Sequence, residues 1–238
     1  METVCKCENL SFLYKGTDKG IFDINLHIEK GSVVGLLGES GSGKSTVAKC
    51  ISGQMSGYSG NVEKKKFGYI FQDNYASLNP KKTVGWLLKE AIRYNDKENL
   101  QNADTLIDEI LSETELDLTV KEHKPNELSG GQRQRVSIAL ALLSKPELLI
   151  ADEPVSALDV TVQKQVVRLL KRLNEKRGLA ILFISHDIKV VKDLCDYLYI
   201  IKDGKVVEEG EAALLFEKPS TEYTKDLLQS SFLFDIKE

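Results

Sequence analysis

The fold is decided by Gly38-Glu39-Ser40-Gly41-Ser42-Gly43-Lys44-Ser45-Thr46, which fits the pattern G-x-x-x-x-G-K-[ST] of a phosphate-binding loop. Residues 32–37 predict a short buried strand before it, and residues 45–51 predict a helix after it. The glycines let backbone N–H groups face a polyphosphate, and the helix N-terminus adds partial positive charge there. We therefore predict a nucleotide-binding α/β domain rather than a glycine-rich turn with a surface lysine. In it, Lys44 reaches the β- and γ-phosphates and Ser45 is a Mg²⁺ ligand.

Composition excludes several classes of protein. The 238 residues carry a net charge of −4, which argues against a nucleic-acid partner. No apolar run approaches the roughly 18 to 20 residues of a membrane span, and the first thirty residues lack the apolar core of a signal peptide, so we expect a cytosolic chain. The four cysteines follow neither a metal-binding nor a secreted-disulfide spacing, and we expect them to be reduced packing residues.

The pattern along the chain changes from strands to helices and back. Residues 3–28 predict two strands joined by a polar turn, 53–60 a loop, and Lys64-Lys65-Lys66 a solvated turn before a strand at 67–71. Apolar residues then recur at helical spacing from Thr83 to about Glu115 and again from Ser129 to Lys145. Alternating strands and helices return from Leu148. We therefore expect an α/β core at about 1–75 and 146–238, with a helical subdomain at about 76–145.

Two carboxylates follow an apolar strand in Leu148-Leu149-Ile150-Ala151-Asp152-Glu153. At the end of a buried strand in a P-loop protein, Asp152 can hold Mg²⁺ through its water shell, opposite Lys44. Glu153 can orient or deprotonate an attacking water. Adjacent acids on a surface are the alternative, and the preceding apolar strand favours the functional interpretation.

The most specific motif is Leu128-Ser129-Gly130-Gly131-Gln132, with which the chain resembles the ATP-binding cassette (ABC) family. In physical terms, Ser129 is a good N-cap, and the two glycines expose backbone N–H groups at the start of a long helix, where anions bind. The resemblance implies an α/β P-loop NTPase fold: a RecA-like core, an antiparallel β subdomain and an inserted helical subdomain. It also implies that Ser129, Gly130, Gly131 and Gln132 close on the ATP held by another subunit.

Other motifs of the family occur in the expected order along the chain. The resemblance makes Gln72 the residue that senses Mg²⁺ and the γ-phosphate, His186 a γ-phosphate contact, and Asp159 part of the D-loop at the subunit interface. Tyr14 stands where the family places an aromatic that stacks on adenine. Phe12 is the rival candidate, and plain strand packing of Tyr14 is another alternative. With Glu153 and His186 present, we expect a subunit that hydrolyses ATP with Mg²⁺.

Three segments, 72–80, 152–163 and 218–228, are similar to the peptide/nickel importer ATPases. That resemblance implies a peripheral protein at the cytoplasmic face of the membrane, with a second ABC ATPase subunit, two permeases and, indirectly, an extracytoplasmic substrate-binding protein as partners. The second ATPase is expected to be a paralogue, although a homodimer is possible. Tyr75, Leu78 and Trp86 are candidate permease contacts, with a place in the helical core as the alternative for Trp86.

The cargo and the class of ABC protein stay open at this stage. The short segment between Thr46 and Gln72 and the end at Glu238 favour the short second ATPase of nickel and metal-chelate importers, with peptide importers as the other option. A soluble ABC ATPase of translation or DNA repair is the alternative class. It fits less well, because such proteins carry two cassettes or a long coiled coil.

Overall fold

The computed structural model describes residues 2–73 and 77–233. The strands are β1 (Thr3–Leu13), β2 (Gly20–Glu29), β3 (Val33–Leu37), β4 (Ser59–Lys64), β5 (Phe67–Ile70), β6 (Leu148–Asp152), β7 (Ala180–Ser185), β8 (Tyr197–Lys202) and β9 (Lys205–Glu211). The α-helices are α1 (Lys44–Ser52), α2 (Val84–Asn95), α3 (Ala103–Glu113), α4 (Gly130–Leu142), α5 (Val160–Arg177), α6 (Ile188–Leu194), α7 (Ala212–Glu217) and α8 (Glu222–Leu233). Short 3₁₀ helices cover 97–102, 118–122 and 125–127.

The strand before the phosphate-binding loop, β3, lies inside a six-stranded sheet of order β5-β6-β7-β3-β8-β9. All neighbours in this sheet are parallel except the β8–β9 hairpin. Strands β3, β6 and β7 are buried along their whole length, which explains why they consist almost entirely of apolar residues. Together with the helices that separate its parallel strands, this sheet confirms the predicted α/β class.

The six-stranded sheet separates two hydrophobic cores. Alternate residues of β3 show the division, since Val34 and Leu36 face the core shared with β1, β2 and α1, whereas Val33 and Leu37 face the core shared with α2–α6. The helices between β5 and β6 thus pack onto one face of the sheet and share its core. The limits given above for the helical subdomain remain a prediction.

The smaller sheet has the order β2-β1-β4 and is antiparallel. Its first two strands were expected, but β4 was not, because the sequence predicted a loop at 53–60 and a turn at Lys64. The loop is present at 53–58, but residues 59, 60 and 64 belong to β4, so the expectation was wrong at these three positions. Strand β4 exposes every side chain except the half-buried Val62, so it has no apolar alternation, and pairing with β1 alone defines it.

Capping residues mark both ends of helix α5. Helix α5 begins after Asp159, whose side chain accepts a hydrogen bond from the Val162 N–H, and its C-cap is Gly178 in the left-handed conformation.

All four cysteines are buried and free, as expected of packing residues. Within the described ranges, no helix is both long and apolar enough to cross a bilayer.

Candidate functional site

The predicted chemical groups meet at one edge of the large sheet. Strands β5, β6, β7 and β3 are adjacent and parallel, so the segments that follow their carboxyl ends lie side by side. A cleft of about 780 Å³ opens there. It is lined by Tyr14, Thr17, Lys19, Gly20, Gly38, Glu39, Ser40, Gly41, Gly43, Lys44, Ser45, Thr46, Gln72, Glu153, His186 and Leu227.

The phosphate-binding loop has a conformation that its glycines permit. Gly41 and Gly43 have φ of +82° and +112°, and a Cβ on Gly43 would lie 2.9 Å from Ile21 Cγ2. The turn of the β8–β9 hairpin supports the loop from outside, since the Gly204 N–H donates to the Ser42 carbonyl at 2.9 Å. Residues far apart in sequence therefore hold the loop in shape.

Lys44 is buried and curls back onto its own loop. Its Nζ donates to the Gly38 carbonyl at 2.7 Å and to the Glu39 carbonyl at 2.8 Å. Burial lowers the pKa of this ammonium, and the nearby carboxylates of Glu153, Asp152 and Glu39 oppose that shift. Among the described residues, the hydrogen-bond partners of this ammonium are these two carbonyl oxygens, so an anionic oxygen entering the cleft can recruit it.

The Ser45 hydroxyl and the Asp152 carboxylate converge on one point. Ser45 Oγ donates to Asp152 Oδ1 at 2.9 Å, and the hydroxyl of Tyr69 donates to Asp152 Oδ2 at 3.0 Å. Burial, and then the charge of Asp152, raise the pKa of Tyr69. A hydroxyl and a carboxylate are the oxygen donors that Mg²⁺ prefers, so the pair fits that ion. Tyr69 fixes the orientation of the carboxylate and was missed by the sequence analysis.

Glu153 and His186 form a pair next to that point. His186 Nδ1 lies 2.9 Å from Glu153 Oε1, and Glu153, the first residue after β6, has a positive φ of 49°, which is uncommon for a residue other than glycine. Glu153 is buried, and its second oxygen, Oε2, has no hydrogen-bond partner within the described ranges. A buried carboxylate oxygen without a partner needs a water or a ligand. The Glu153 carboxylate is therefore placed to bind a water molecule through Oε2.

Tyr14 lines the cleft, and its hydroxyl hydrogen-bonds with Thr46 Oγ1 at 2.9 Å. Phe12 packs edge-on against the Tyr14 ring at 5.1 Å but does not line the cleft. The geometry thus favours Tyr14 over Phe12 as the adenine-facing residue, and its stacking role stays a prediction.

The signature residues are placed elsewhere. Ser129 caps α4, because its Oγ accepts from the Gln132 N–H at 3.2 Å and its own N–H donates to Gln132 Oε1 at 2.9 Å. A Cβ on Gly131 would lie 2.5 Å from Val162 Cγ1, and one on Gly130 would lie 3.2 Å from Leu158 Cδ2. The signature therefore packs on Leu158 and on Val162 at the start of α5, the helix that Asp159 caps. None of its residues lines the cleft of the same chain.

The candidate permease contacts have different positions. Leu78 is 3% exposed, so it packs in the core and its prediction as a surface contact was wrong. Trp86 is 44% exposed, with Lys82 Nζ 4.5 Å from its ring centroid, which disfavours the core alternative. Tyr75 lies outside the described residues, whereas Gln72 is exposed and lines the cleft.

Comparison with known proteins places these features in context. Residues 21–156 match the family model described as ABC transporter. The peptidoglycan transport ATP-binding protein YejF of Agrobacterium fabrum is 39% identical over 237 residues, which cover 92% of this chain and 43% of that protein. The oligopeptide transport ATP-binding protein OppF of Lactococcus lactis subsp. lactis is 40% identical over 230 residues, covering 90% of this chain and 72% of that protein. The chain thus spans less than half of one relative and most of the other.

Solved structures agree at the level of the fold. The dimeric ATP-binding cassette MJ0796, in a post-hydrolysis state bound to ADP and Pi, superposes with a TM-score of 0.74 at 31% identity, covering 88% of this chain and 99% of that one. The structure of cbiO1 from Clostridium perfringens, part of the transporter complex cbiONQ, gives 0.81 at 25% identity, covering 99% of this chain and 100% of that one. The cassette architecture expected from the signature is therefore confirmed.

Proposed function

The chain belongs to the ABC transporter family, and we propose that it is the ATP-hydrolysing subunit of an importer that takes up short peptides through a membrane permease. One observation carries the ATPase part of this proposal. Lys44, the Ser45–Asp152 pair and the Glu153–His186 pair all lie at the same edge of the sheet. These are the groups that phosphoryl transfer to water needs: a cation for the phosphates, ligands for a metal, and a base.

In this proposal, each residue has a task in hydrolysis. The backbone N–H groups of the loop bind the β-phosphate, and Lys44 turns from its carbonyl partners to the β- and γ-phosphates. Glu153 Oε2, which has no partner among the described residues, accepts the proton of the attacking water. His186 holds Glu153 in place and contacts the γ-phosphate from the same side.

Ser45, Asp152 and Gln72 are the proposed metal ligands, Asp152 through a water. Their oxygens suit Mg²⁺, which when bound neutralises charge on the β- and γ-phosphates. Asp152 is fixed from two sides by Ser45 and Tyr69, so its carboxylate needs little reorganisation to take up that role.

The signature residues act on the nucleotide of another subunit in this proposal. Ser129 to Gln132 do not line the cleft of their own chain, yet Ser129 caps a helix whose first turn presents two glycine N–H groups. We propose that a second cassette, a paralogue, closes over the cleft with its own signature. The dimeric state of MJ0796 bound to ADP and Pi supports this arrangement.

The cargo proposal follows the names of the relatives. OppF is named for oligopeptide transport and YejF for peptidoglycan transport, which favour peptides over nickel or another metal chelate and give no support to a soluble role in translation or repair. The proposed partners are two permeases and, through them, an extracytoplasmic substrate-binding protein. The chain would then be peripheral, at the cytoplasmic face of the membrane.

The ATPase part is tested by binding and hydrolysis of ATP with Mg²⁺ in Lys44→Ala, with Lys49→Ala on the same helix as the matched control. We expect the first variant to lose nucleotide binding and the second to keep it. Equal binding by both variants would contradict the assignment of the cleft.

The cargo part is tested in cells that lack the gene, by uptake of a labelled tripeptide and of labelled nickel. Loss of tripeptide uptake, restored by wild type but not by Lys44→Ala, supports the peptide proposal. Loss of nickel uptake alone would replace peptide with metal as the cargo and leave the ATPase chemistry unchanged.

A further inference from the structure

The C-terminal helix α8 contacts the phosphate-binding loop directly. The backbone N–H of Glu39, the second residue of the loop, donates to the hydroxyl of Tyr223 on α8 at 3.3 Å. One helical turn further on, Leu227 lines the nucleotide cleft. Lys202 Nζ lies 4.5 Å from the centroid of the Tyr223 ring. A segment 184 residues away in sequence thus forms part of the loop's surroundings.

A carboxylate on the large sheet holds the start of α8 in this position. Glu208 of β9 accepts hydrogen bonds from the backbone N–H and hydroxyl of Ser220, both at 2.7 Å. It also accepts from the backbone N–H of Thr221 at 3.1 Å and from its hydroxyl at 2.8 Å. Burial alone would raise the pKa of Glu208, but hydrogen bonds from Thr224, Ser220 and Thr221 outweigh it and lower the pKa to about 2.

The peptide groups around Glu39 are therefore held on two sides. Lys44 binds the Glu39 carbonyl, and Tyr223 binds the Glu39 N–H. When Lys44 turns to a phosphate, it releases both of its carbonyl partners, whereas the Tyr223 contact is made through the Glu39 N–H and does not involve Lys44. A loop that stays anchored needs less reorganisation to receive the phosphates.

We infer that Tyr223 is a positioning residue for the phosphate-binding loop, and that Glu208 acts through it by holding the start of α8 against the β8–β9 hairpin. The inference rests on the proposed ATP-binding function of the cleft. It assigns to the C-terminal helix a part in nucleotide affinity rather than in stability alone.

The experiment measures the Kd of ATP with Mg²⁺ for the purified full-length chain by calorimetric titration. Tyr223→Phe removes only the hydroxyl and is expected to weaken binding about threefold to tenfold, with the thermal midpoint of the nucleotide-free protein within about 2 °C of wild type. Tyr197→Phe is the matched control, because its hydroxyl also makes one exposed hydrogen bond, at 3.4 Å to Glu209, at the opposite end of the sheet. The control is expected to bind ATP as wild type does.

Glu208→Gln provides the second arm. We expect it to weaken ATP binding in the wild-type background and to have no further effect in the Tyr223→Phe background, because it acts through the tyrosine. An equal loss in both backgrounds, or unchanged affinity in Tyr223→Phe, would overturn the inference, as would an equal effect of Tyr197→Phe. Lys44→Ala separates failure of the proposed function from failure of this inference. If Lys44→Ala binds ATP as well as wild type does, the proposed function fails. If Lys44→Ala loses binding while Tyr223→Phe binds as wild type does, only the role of α8 is rejected.

Discussion

The nucleotide cleft and the signature region differ in how complete they are within one chain. In the cleft, Lys44, Asp152 and Glu153 are buried side chains whose partners come from the same molecule, and they lie at one edge of one sheet. In the signature region, Ser129 and its glycines are also held by capping and packing, but they do not line the nucleotide cleft of their own chain. Local order is therefore no measure of whether a site is complete, and in the proposed function the second region acts on the nucleotide of another subunit.

The largest effect is expected from Glu153→Gln, which removes the proposed base from the complete region. Because the amide cannot accept the proton of water, we expect kcat for ATP hydrolysis to fall about a thousandfold, roughly 4 kcal/mol, while ATP binding persists and the closed dimer accumulates. Steady-state hydrolysis measures this, with the exposed Glu175→Gln on α5 as the control. Unchanged hydrolysis in the first variant would reject Glu153 as the base.

Ser129→Arg tests the incomplete region. A long cation in place of the cap disturbs the surface that faces the other subunit in the proposed dimer, so we expect turnover of the assembled transporter to fall about a hundredfold, while ATP binding by the isolated chain is unaffected. Ser112→Arg, an exposed serine on α3, is the control. Loss of binding by the isolated chain would mean that the signature contacts the nucleotide of its own subunit.

Gly131→Ala tests how the signature is ordered. Helix propensity alone predicts that alanine stabilises this position by up to about 1 kcal/mol. The added Cβ, however, would lie 2.5 Å from Val162 Cγ1, and we expect a net destabilisation of about 1 to 3 kcal/mol in chemical unfolding. Val162→Ala in the same chain should restore much of the loss. A stabilised Gly131→Ala would show that the contact with α5 yields easily.

The smallest effect concerns Glu208, which supports the complete region from the C-terminal side. Its pKa is lowered from 4.5 to about 2 in the folded protein, so its contribution to stability is full above pH 4.5 and is lost as the pH falls towards 2. We expect wild type to exceed Glu208→Gln in unfolding free energy by about 1 kcal/mol at pH 7, after allowance for solvent screening. The difference should narrow between pH 4.5 and 3. A difference that grows on acidification would contradict this sign.

The sequence predicted those parts of the site in which function lies in consecutive residues. The loop 38–46 and the Asp152-Glu153 pair were found directly, since a strand followed by its functional residues is a local pattern. Tyr69 and Tyr223 were not found, because each is an ordinary tyrosine until the fold brings its hydroxyl to Asp152 or to Glu39. Strand β4 was missed for a similar reason, because it pairs with β1 but lacks the alternation of apolar and polar residues that predicts a strand.

The sequence by itself thus determined the chemistry and the class of fold. Each informative pattern lies within a few consecutive residues: the glycine spacing of the loop, the carboxylates after an apolar strand, and the signature pentapeptide. Only the tertiary structure decided which side chains support these groups, that Leu78 is buried and Trp86 exposed, and that the signature lies away from the cleft of its own chain. The physical reason is that hydrogen bonds such as that between Glu39 and Tyr223 join residues whose approach is set by the order of strands in the sheet, and no local propensity encodes that order.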